Sequence, residues 1–400
     1  MQYFSGSQTT YNGTNKTLEE QEFMNFHLAR LVRGEDRRKL DATGFACNNA
    51  VHSIHCVSTK PVRIDMSTMT VYIPSSDEGY PSSDEEIEIR PYARQEDSLK
   101  SISPVKMIRT GNVFHEMNEI IIPLYITTKQ FQSRIALVLE DYKPSFIAKY
   151  GSVLSHLSSH EIINPAANET GGVHCFPAAV VGLKYHDNLA LNSSDIPGGY
   201  GMPEFRHFLR QAFSLKFAYV SEIAKPRLLF LSRTNTRRFL NEDEMIPLMK
   251  EVGFEVIVVK RSKLASNLKK FTELINSCSV LLGAHGAGLT NEIFLPTGAV
   301  MIQVELLGTE WASNTYYGDT ARAMGVHYLR YKIEAEESSL LKLYGRNSSV
   351  VTDPGSVYRD GGYRAARTVF LDQQNVRVNL ARFRGILVEA LSIVTDWAGR

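Results

Sequence analysis

Four short apolar runs between residues 227 and 304 constrain the fold most. They are Arg227-Leu228-Leu229-Phe230-Leu231, Phe254-Glu255-Val256-Ile257-Val258-Val259, Ser279-Val280-Leu281-Leu282 and Val300-Met301-Ile302-Gln303-Val304. Largely continuous apolar runs of this length suit strands buried on both faces. Helix-patterned segments separate them. One opens near Asn241 with Glu242, Asp243 and Glu244 in its first turn, where the helix dipole favours acids. Another covers 264–276. This β-α-β-α-β-α-β alternation predicts an α/β fold with a parallel, doubly wound sheet. An amphipathic helix follows at about 378–394.

Upstream, Ile120–Ile126, Ile135–Leu139 and Ala179–Leu183 are compact apolar runs that read as strands. With helical segments at 145–157 and 203–215 they predict a second α/β unit. Val62–Met66, Met69–Ile73 and Ile87–Arg90 alternate, as hairpin strands do, around a Ser-, Asp-, Glu- and Pro-rich loop at 74–86. Residues 1–40 are polar, helix-prone from Leu18 to Leu31 and basic from Arg33 to Lys39, which reads as a loosely attached leader. The division expected is therefore a stem-like leader over 1–40, a small β-rich extension over 41–105, α/β domains over 106–220 and 221–378, and a C-terminal helix over 379–400 that could cross back to the first domain.

Forty-four Lys and Arg against 43 Asp and Glu leave a net charge of +1. No global field draws the chain to nucleic acid, so an anion site must be local. No apolar run reaches the roughly 18 residues that span a bilayer. Asn12, Asn15, Asn168, Asn192 and Asn347 head N-x-Ser/Thr sequons, which favours a secretory lumen. Cys47, His52, His55 and Cys56 fit zinc-ligand spacing poorly, and a Cys47–Cys56 disulfide is the better reading in an oxidising compartment. Cys175 and Cys278 are then a long-range pair or two buried thiols.

Ligands of doubly wound sheets bind beyond the carboxyl ends of strands. Two clusters stand there. Ser232-Arg233-Thr234-Asn235-Thr236-Arg237-Arg238 places three arginines in one strand-to-helix turn. Guanidinium forks match phosphate oxygens, so the turn suits a diphosphate. The alternative is a solvated turn with ion pairs to Glu242–Glu244. Gly283-Ala284-His285-Gly286-Ala287-Gly288-Leu289-Thr290-Asn291 reads as a turn that lets a ligand approach the backbone and aims free N–H groups at an anion, the alternative being tight packing alone. Its glycines do not follow G-x-G-x-x-G, and no Gly-Lys-Ser/Thr follows. His115-Glu116-Met117-Asn118-Glu119 offers acids that could take a proton from a hydroxyl, or that simply cap an exposed turn. Trp311, Tyr316 and Tyr317 could stack on a base or sugar, or fill the core.

The 282–291 and 232–242 motifs together resemble those of glycosyltransferase family 61. Gly111-Asn112 with His115-Glu116, Tyr142-Lys143-Pro144, His174-Cys175-Phe176, Glu310-Trp311-Ala312 and Glu336–Leu340 extend the likeness, which spans about 105–395 and is nearest the plant branch that decorates xylan. The resemblance implies a GT-B-like fold, with two Rossmann-like domains facing a cleft. It implies an inverting transfer of a pentose from UDP-xylose or UDP-arabinofuranose to xylan or a xylo-oligosaccharide, with xylose favoured. No cofactor is required, and a divalent ion is compatible but not needed for binding. N-glycan xylosyl transfer and a non-catalytic nucleotide-sugar-binding role are the alternatives.

Carried onto this chain, the resemblance places UDP at Arg233, Thr234, Arg237, Arg238, His285, Gly286, Ala287, Gly288, Leu289 and Thr290. It places substrate at His115, Trp311, Tyr316 and Tyr317. The base is Glu119 or Glu116; Glu119 is favoured because it enters the expected strand at its ligand-facing end. Relatives of this kind are type II Golgi proteins, so a Golgi-lumenal location is expected, with membrane attachment through an anchor that these 400 residues do not contain. A homo-oligomer is compatible with this reading.

Overall fold

The computed structural model describes residues 2–4, 14–50, 53–73, 112–167, 172–186, 188–260 and 267–398. The chain divides into two compact units, Met1–Asp187 with Asn192–Tyr200, and Asn188–Leu191 with Gly201–Arg400. Both mix helices with strands, giving an α/β protein with several sheets.

In the first unit the described strands are β1 (Gln2–Phe4), β2 (Phe45–Ala50), β3 (Ser53–Ser58), β4 (Val62–Asp65), β5 (Thr70–Tyr72), β6 (Ala136–Leu137), β7 (Val173–Phe176) and β8 (Ala178–Val181). One sheet runs β2-β3-β8-β1-β6 and another β5-β4-β7. Every pairing between these strands is antiparallel. This differs from the parallel pattern of a Rossmann-like sheet. The physical reason is visible in β2 and β3: two residues separate them, enough for a hairpin but not for the crossover that a parallel pair needs. The β4–β5 hairpin matches the alternation read from the sequence. The loop at 74–86 and the strand at Ile87–Arg90 lie outside the described residues.

Two expectations change here. The run Ile120–Ile126 is helical, not a strand. A π-helical turn, Met117–Ile121, leads into a helix at Ile122–Thr128 whose residues are all buried. A helix that is apolar all round shows no 3.6-residue period, so a short run of this kind cannot be told from a buried strand. Thr127 and Thr128 satisfy their hydroxyls by donating to the Pro123 and Leu124 carbonyls, each at 2.6 Å. The leader is also not loose along its second half. Leu28, Leu31, Val32 and Leu40 are buried, and a His55 ring nitrogen, Nε2, bonds the Leu31 carbonyl at 3.0 Å.

Cys47 and Cys56 are register partners of β2 and β3 and form a disulfide. Cys175 and Cys278 are free, the first exposed and the second buried. The long-range pair is therefore not formed, nor are both buried: Cys278 sits in the second unit with its Sγ donating to the Leu274 carbonyl, while Cys175 is exposed on β7. His52 lies outside the described residues.

The second unit holds β9 (Arg227–Ser232), β10 (Glu255–Lys260), β11 (Val280–Ala284), β12 (Val300–Glu305) and β13 (His327–Lys332). They form one sheet, ordered β10-β9-β11-β12-β13 and parallel throughout. Leu228–Phe230, Val280–Leu282 and Val300–Ile302 are each 0% exposed. Burying a side chain of that size contributes about 1.5–3 kcal/mol, so these three strands anchor the unit. The helices expected after β9 and β10 appear at Glu242–Val252 and Leu268–Asn276. Edge strand β13 escapes the sequence pattern because it is half polar, His-Tyr-Leu-Arg-Tyr-Lys. The C-terminal helix, Leu380–Ala398, packs on helix Glu242–Val252, β12 and β13 within this unit.

Candidate functional site

The chain leaves β9 for β10 on one side and returns to β11 on the other. The carboxyl ends of β9 and β11 are thus a topological switch point, where open α/β sheets bind ligands. The arginine turn follows β9 and the glycine turn follows β11, so the order of the strands alone brings the two motifs together.

The side chains complete the convergence. Arg237 adopts a left-handed backbone, φ +55°, that non-glycine residues rarely take. Its N–H donates to the Gln374 carbonyl at 2.8 Å, which holds that conformation. Its Nη1 donates to the His285 carbonyl at 3.0 Å. Arg233 turns its Nε onto the Thr236 carbonyl at 2.9 Å. Gly286 has φ +145°, and a Cβ there would stand 2.6 Å from Arg237 Nη1 and 3.0 Å from Arg233 Nη1. Two guanidinium groups therefore lie against the backbone of the glycine turn, and only glycine leaves room for them. Asp372 bears on Arg237 electrostatically, whereas two of the acids that follow the turn are engaged elsewhere. Glu242 accepts from the Ser232 hydroxyl at 2.8 Å, and Glu244 pairs with Arg377 at 2.5 Å. Burial depresses the basicity of the Arg237 guanidinium, and its Nε has no hydrogen-bond partner among the described residues. A buried cation so placed is stabilised by an anion.

His285 is 5% exposed. Burial, then Arg237 and Arg233, push its pKa down to about 3. It is neutral at physiological pH. Its Nδ1 faces Gln303 Nε2 at 2.9 Å, and the Gln303 Oε1 is taken by the Tyr328 hydroxyl at 3.1 Å. Gln303 Nε2 is thus a donor, Nδ1 is the acceptor, and the ring proton belongs on Nε2. This tautomer is assigned from the network. Ser313 supports the same nitrogen, with its hydroxyl at 3.2 Å. A neutral imidazole held this way can donate to a phosphate or sugar oxygen from Nε2.

The other residues of the two motifs divide by burial. Thr234 and Arg238 are exposed. Ala287 and Gly288 are half-buried in the turn. Leu289 and Thr290 are buried, and Leu289 packs over Gly283. Tyr317 is buried with its ring 5.6 Å from that of His285, edge to face. Tyr316 meets Trp311 edge to face at 5.5 Å, and Trp311 is 67% exposed.

His115, Glu116 and Glu119 belong to the first unit. Asn112 caps a short helix, Val113–Glu116, by accepting from the Phe114 N–H at 3.1 Å. Glu119 follows in the π-helical turn rather than at the mouth of a strand. Its Oε1 lies 2.5 Å from His115 Nδ1. Glu116 points away, 2% exposed, into an ion pair with Lys149 and a bond from the Tyr150 hydroxyl at 2.9 Å. Among the described residues no group of three or more His, Cys, Asp and Glu side chains could hold a metal ion.

Sequence reasoning missed Gln303, Ser313 and Tyr328, which orient His285. Gln303 carries a signal, since it is the one polar residue inside the apolar run Val300–Val304. Glu292 is also unforeseen: it is fully buried, both carboxyl oxygens lack a partner among the described residues, and burial raises its pKa well above the usual carboxylate range.

The sequence profile of Glycosyltransferase 61 matches residues 68–302. The chain is 38% identical over 288 residues to Alpha-1,3-arabinosyltransferase XAT3 of Oryza sativa subsp. japonica, covering 70% of this chain and 49% of that protein. It is 35% identical over 297 residues to Xylan glycosyltransferase MUCI21 of Arabidopsis thaliana, covering 70% and 59%. It is 34% identical over 367 residues to the rice beta-1,2-xylosyltransferase XAX1, covering 82% and 63%. The chain thus spans about half to three-fifths of the length of these relatives. A profile match over more than half of the chain, coinciding with both strand-end turns, settles membership: the chain belongs to glycosyltransferase family 61.

Proposed function

We propose that this chain is an inverting glycosyltransferase that moves a pentose, with xylose favoured over arabinofuranose, from a UDP-sugar to xylan. The observation that carries the donor assignment is the convergence of Arg233 and Arg237 on Gly286 at the switch point. Two fixed cations and a turn without a Cβ suit a diphosphate. They also offset the charge that develops on it as the sugar leaves, the task a bound metal performs in other enzymes. The neutral His285 adds a donor without adding charge. The names of the relatives, an arabinosyltransferase, a xylosyltransferase and a xylan glycosyltransferase, support a pentose donor and a xylan acceptor. In this reading the two units take the two-domain roles of a GT-B-like enzyme, the parallel sheet of the second serving the donor. Trp311 and Tyr316 serve the substrate sugars.

A Golgi-lumenal setting fits the Cys47–Cys56 disulfide and the exposed sequon residues Asn192 and Asn347. No described helix is long and apolar enough to cross a membrane.

The test is a transfer assay on the purified chain, with xylohexaose as acceptor and UDP-xylose and UDP-arabinofuranose offered separately. One pentose added with inverted configuration supports the proposal and identifies the sugar. UDP binding without transfer from either donor points instead to an N-glycan acceptor or to a binding protein.

A further inference from the structure

We propose that Arg367 is a third guanidinium of the diphosphate site and that Asp372 is the counter-ion it exchanges for the diphosphate. The inference rests on the donor reading above and uses the second unit alone.

The segment that carries both residues is fastened across the carboxyl edge of the parallel sheet. Its main-chain anchor is the Gln374 carbonyl, which accepts the Arg237 N–H at 2.8 Å. The Gln374 side chain is buried and uses its whole bonding capacity. Its Nε2 donates to the Leu307 and Phe370 carbonyls, each at 3.1 Å. Its Oε1 accepts from the Leu307 N–H at 3.2 Å and from the Ser338 hydroxyl at 2.9 Å. Phe370 fills the space beside Gly308, where a Cβ would stand 2.5 Å from its ring. Tyr358 stacks on Phe370 with centroids 6.0 Å apart, and its hydroxyl donates to the Gly308 carbonyl at 2.8 Å. The segment is thus bound to the turn after β9 through Arg237, and to the turn after β12 through Leu307 and Gly308. β11, with its glycine turn, ends between those two strands.

Arg367 and Asp372 are the two ends of the π-helical turn that enters this anchor. The Gln373 N–H closes the turn onto the Thr368 carbonyl at 3.1 Å, which keeps Arg367 close to the fastened Gln374. The two ends pair, Nε to Oδ2 at 3.7 Å, with side chains 58% and 48% exposed. A pair this long and this open to water holds its partners weakly.

The charges converge on the same place. Tyr317, Asp372, Arg367 and Tyr363 act electrostatically on the Arg237 guanidinium. Asp372 is the one carboxylate among these four. Arg233 already meets Arg237 over Gly286. Gathered cations repel one another unless anions lie among them. One carboxylate offsets one of them. A diphosphate brings more charge and more acceptor oxygens, in the geometry that guanidinium forks match. On this account Arg367 turns from Asp372 to the diphosphate as UDP binds. Asp372 takes it back as UDP leaves. The exchange breaks only an exposed pair on entry, and it keeps the product from being held too tightly.

The test titrates UDP and uridine into the full chain and into Arg367→Ala, Arg367→Lys, Asp372→Asn and Arg237→Ala, with folding checked by circular dichroism. Arg367→Ala should lose about three- to tenfold in UDP affinity, between the worth of an exposed ion pair and that of a bond to a buried charge. Its uridine affinity should not change. Arg367→Lys keeps the charge without the fork and should recover part of the loss. Asp372→Asn removes the competitor and should tighten UDP about two- to fivefold, the range of an exposed pair. Wild-type UDP affinity in Arg367→Ala, with Arg237→Ala impaired, would overturn the inference and leave the donor reading standing. Equal losses of UDP and uridine affinity in Arg367→Ala would overturn it by making the residue structural. Unchanged or weaker UDP binding in Asp372→Asn would overturn the exchange. Wild-type UDP affinity in Arg237→Ala would bring down the donor reading itself, and this inference with it.

Discussion

Arg237 donates a hydrogen bond from Nη1 to the carbonyl oxygen of His285 at 3.0 Å, and so ties the turn after β9 to the turn after β11. The bond spans 48 residues of sequence but only one strand spacing of the sheet. It fixes where the buried cation stands, and it holds the backbone of Gly286 beneath both arginines. The functional consequences of this turn-to-turn tie can be read out one residue at a time.

Gly286→Ala should fold but bind UDP poorly. The substitution forces a Cβ to 2.6 Å from Arg237 Nη1 at a backbone φ of +145°. Strain of this kind costs about 1–3 kcal/mol. A tenfold or greater loss of UDP affinity is expected by calorimetry, with circular dichroism unchanged. An alanine variant with wild-type affinity would show that the arginines do not need the turn.

His285 gives stability a pH dependence of known sign. Its folded pKa, about 3, lies below the unfolded value of 6.5. Below 6.5 the unfolded chain takes a proton that the folded chain refuses. Stability from this group is therefore complete above about 6.5, lost as the pH falls toward 3, and regained as it rises. His55, lowered to about 4 by burial, acts in the same direction. Denaturant melts at pH 5 and pH 7 should show a smaller difference for His285→Gln than for the wild type. Equal differences would mean that His285 does not titrate as its burial requires.

Gln303→Leu removes the donor that sets the His285 tautomer while leaving the arginines in place. The buried Ser313 hydroxyl also loses its Gln303 contact, at 2.8 Å. A cost of about 1–3 kcal/mol in stability is expected for the unsatisfied groups. Transfer rate should fall more than UDP affinity, which separates the orientation of His285 from the charge of the cradle.

The two kinds of cysteine should behave differently. Cys175 is exposed and should react with a thiol reagent in the native state. Burial pushes the Cys278 pKa up to about 12, so it should react only on unfolding. Removing the Cys47–Cys56 bridge, which closes a separation of nine residues, should cost roughly 2–3 kcal/mol on the chain-entropy account. One native reactive thiol and two after unfolding, without reductant, is the pattern expected.

Trp311 should matter to one substrate only. Its ring is 67% exposed beside Tyr316. Trp311→Ala should raise KM for xylohexaose by about three- to tenfold, the worth of an aromatic contact of roughly 0.5–1.5 kcal/mol, and leave UDP affinity alone.

The second unit was legible because its strands are short, apolar and separated by helix-patterned segments, the first of which opens on three acids, so β9 to β12 follow from pattern. The meeting of Arg233, Arg237 and Gly286 follows from it too, since both turns end neighbouring strands. The first unit was less legible for identifiable reasons. Ile120–Ile126 is apolar on every face and carries no period to separate helix from strand. The β2–β3 pairing depends on a two-residue connection that the run of alternation did not reveal. The His115–Glu119 contact needs the helix that this misreading hid, because a strand would have put residues four apart on one face but far from touching. Gln303 and Tyr328 act on His285 through the sheet, and no spacing along the chain announces it.

The most direct test of the account is a titration of UDP and of uridine into the wild-type chain and into Arg233→Ala and Arg237→Ala. If the two turns hold the diphosphate, the wild type should bind UDP at least tenfold more tightly than uridine, consistent with charge-assisted bonds of about 1.5–3 kcal/mol. Either variant should bring UDP close to the uridine value. Equal affinities for UDP and uridine in the wild type, or variants that keep full preference for UDP, would contradict it.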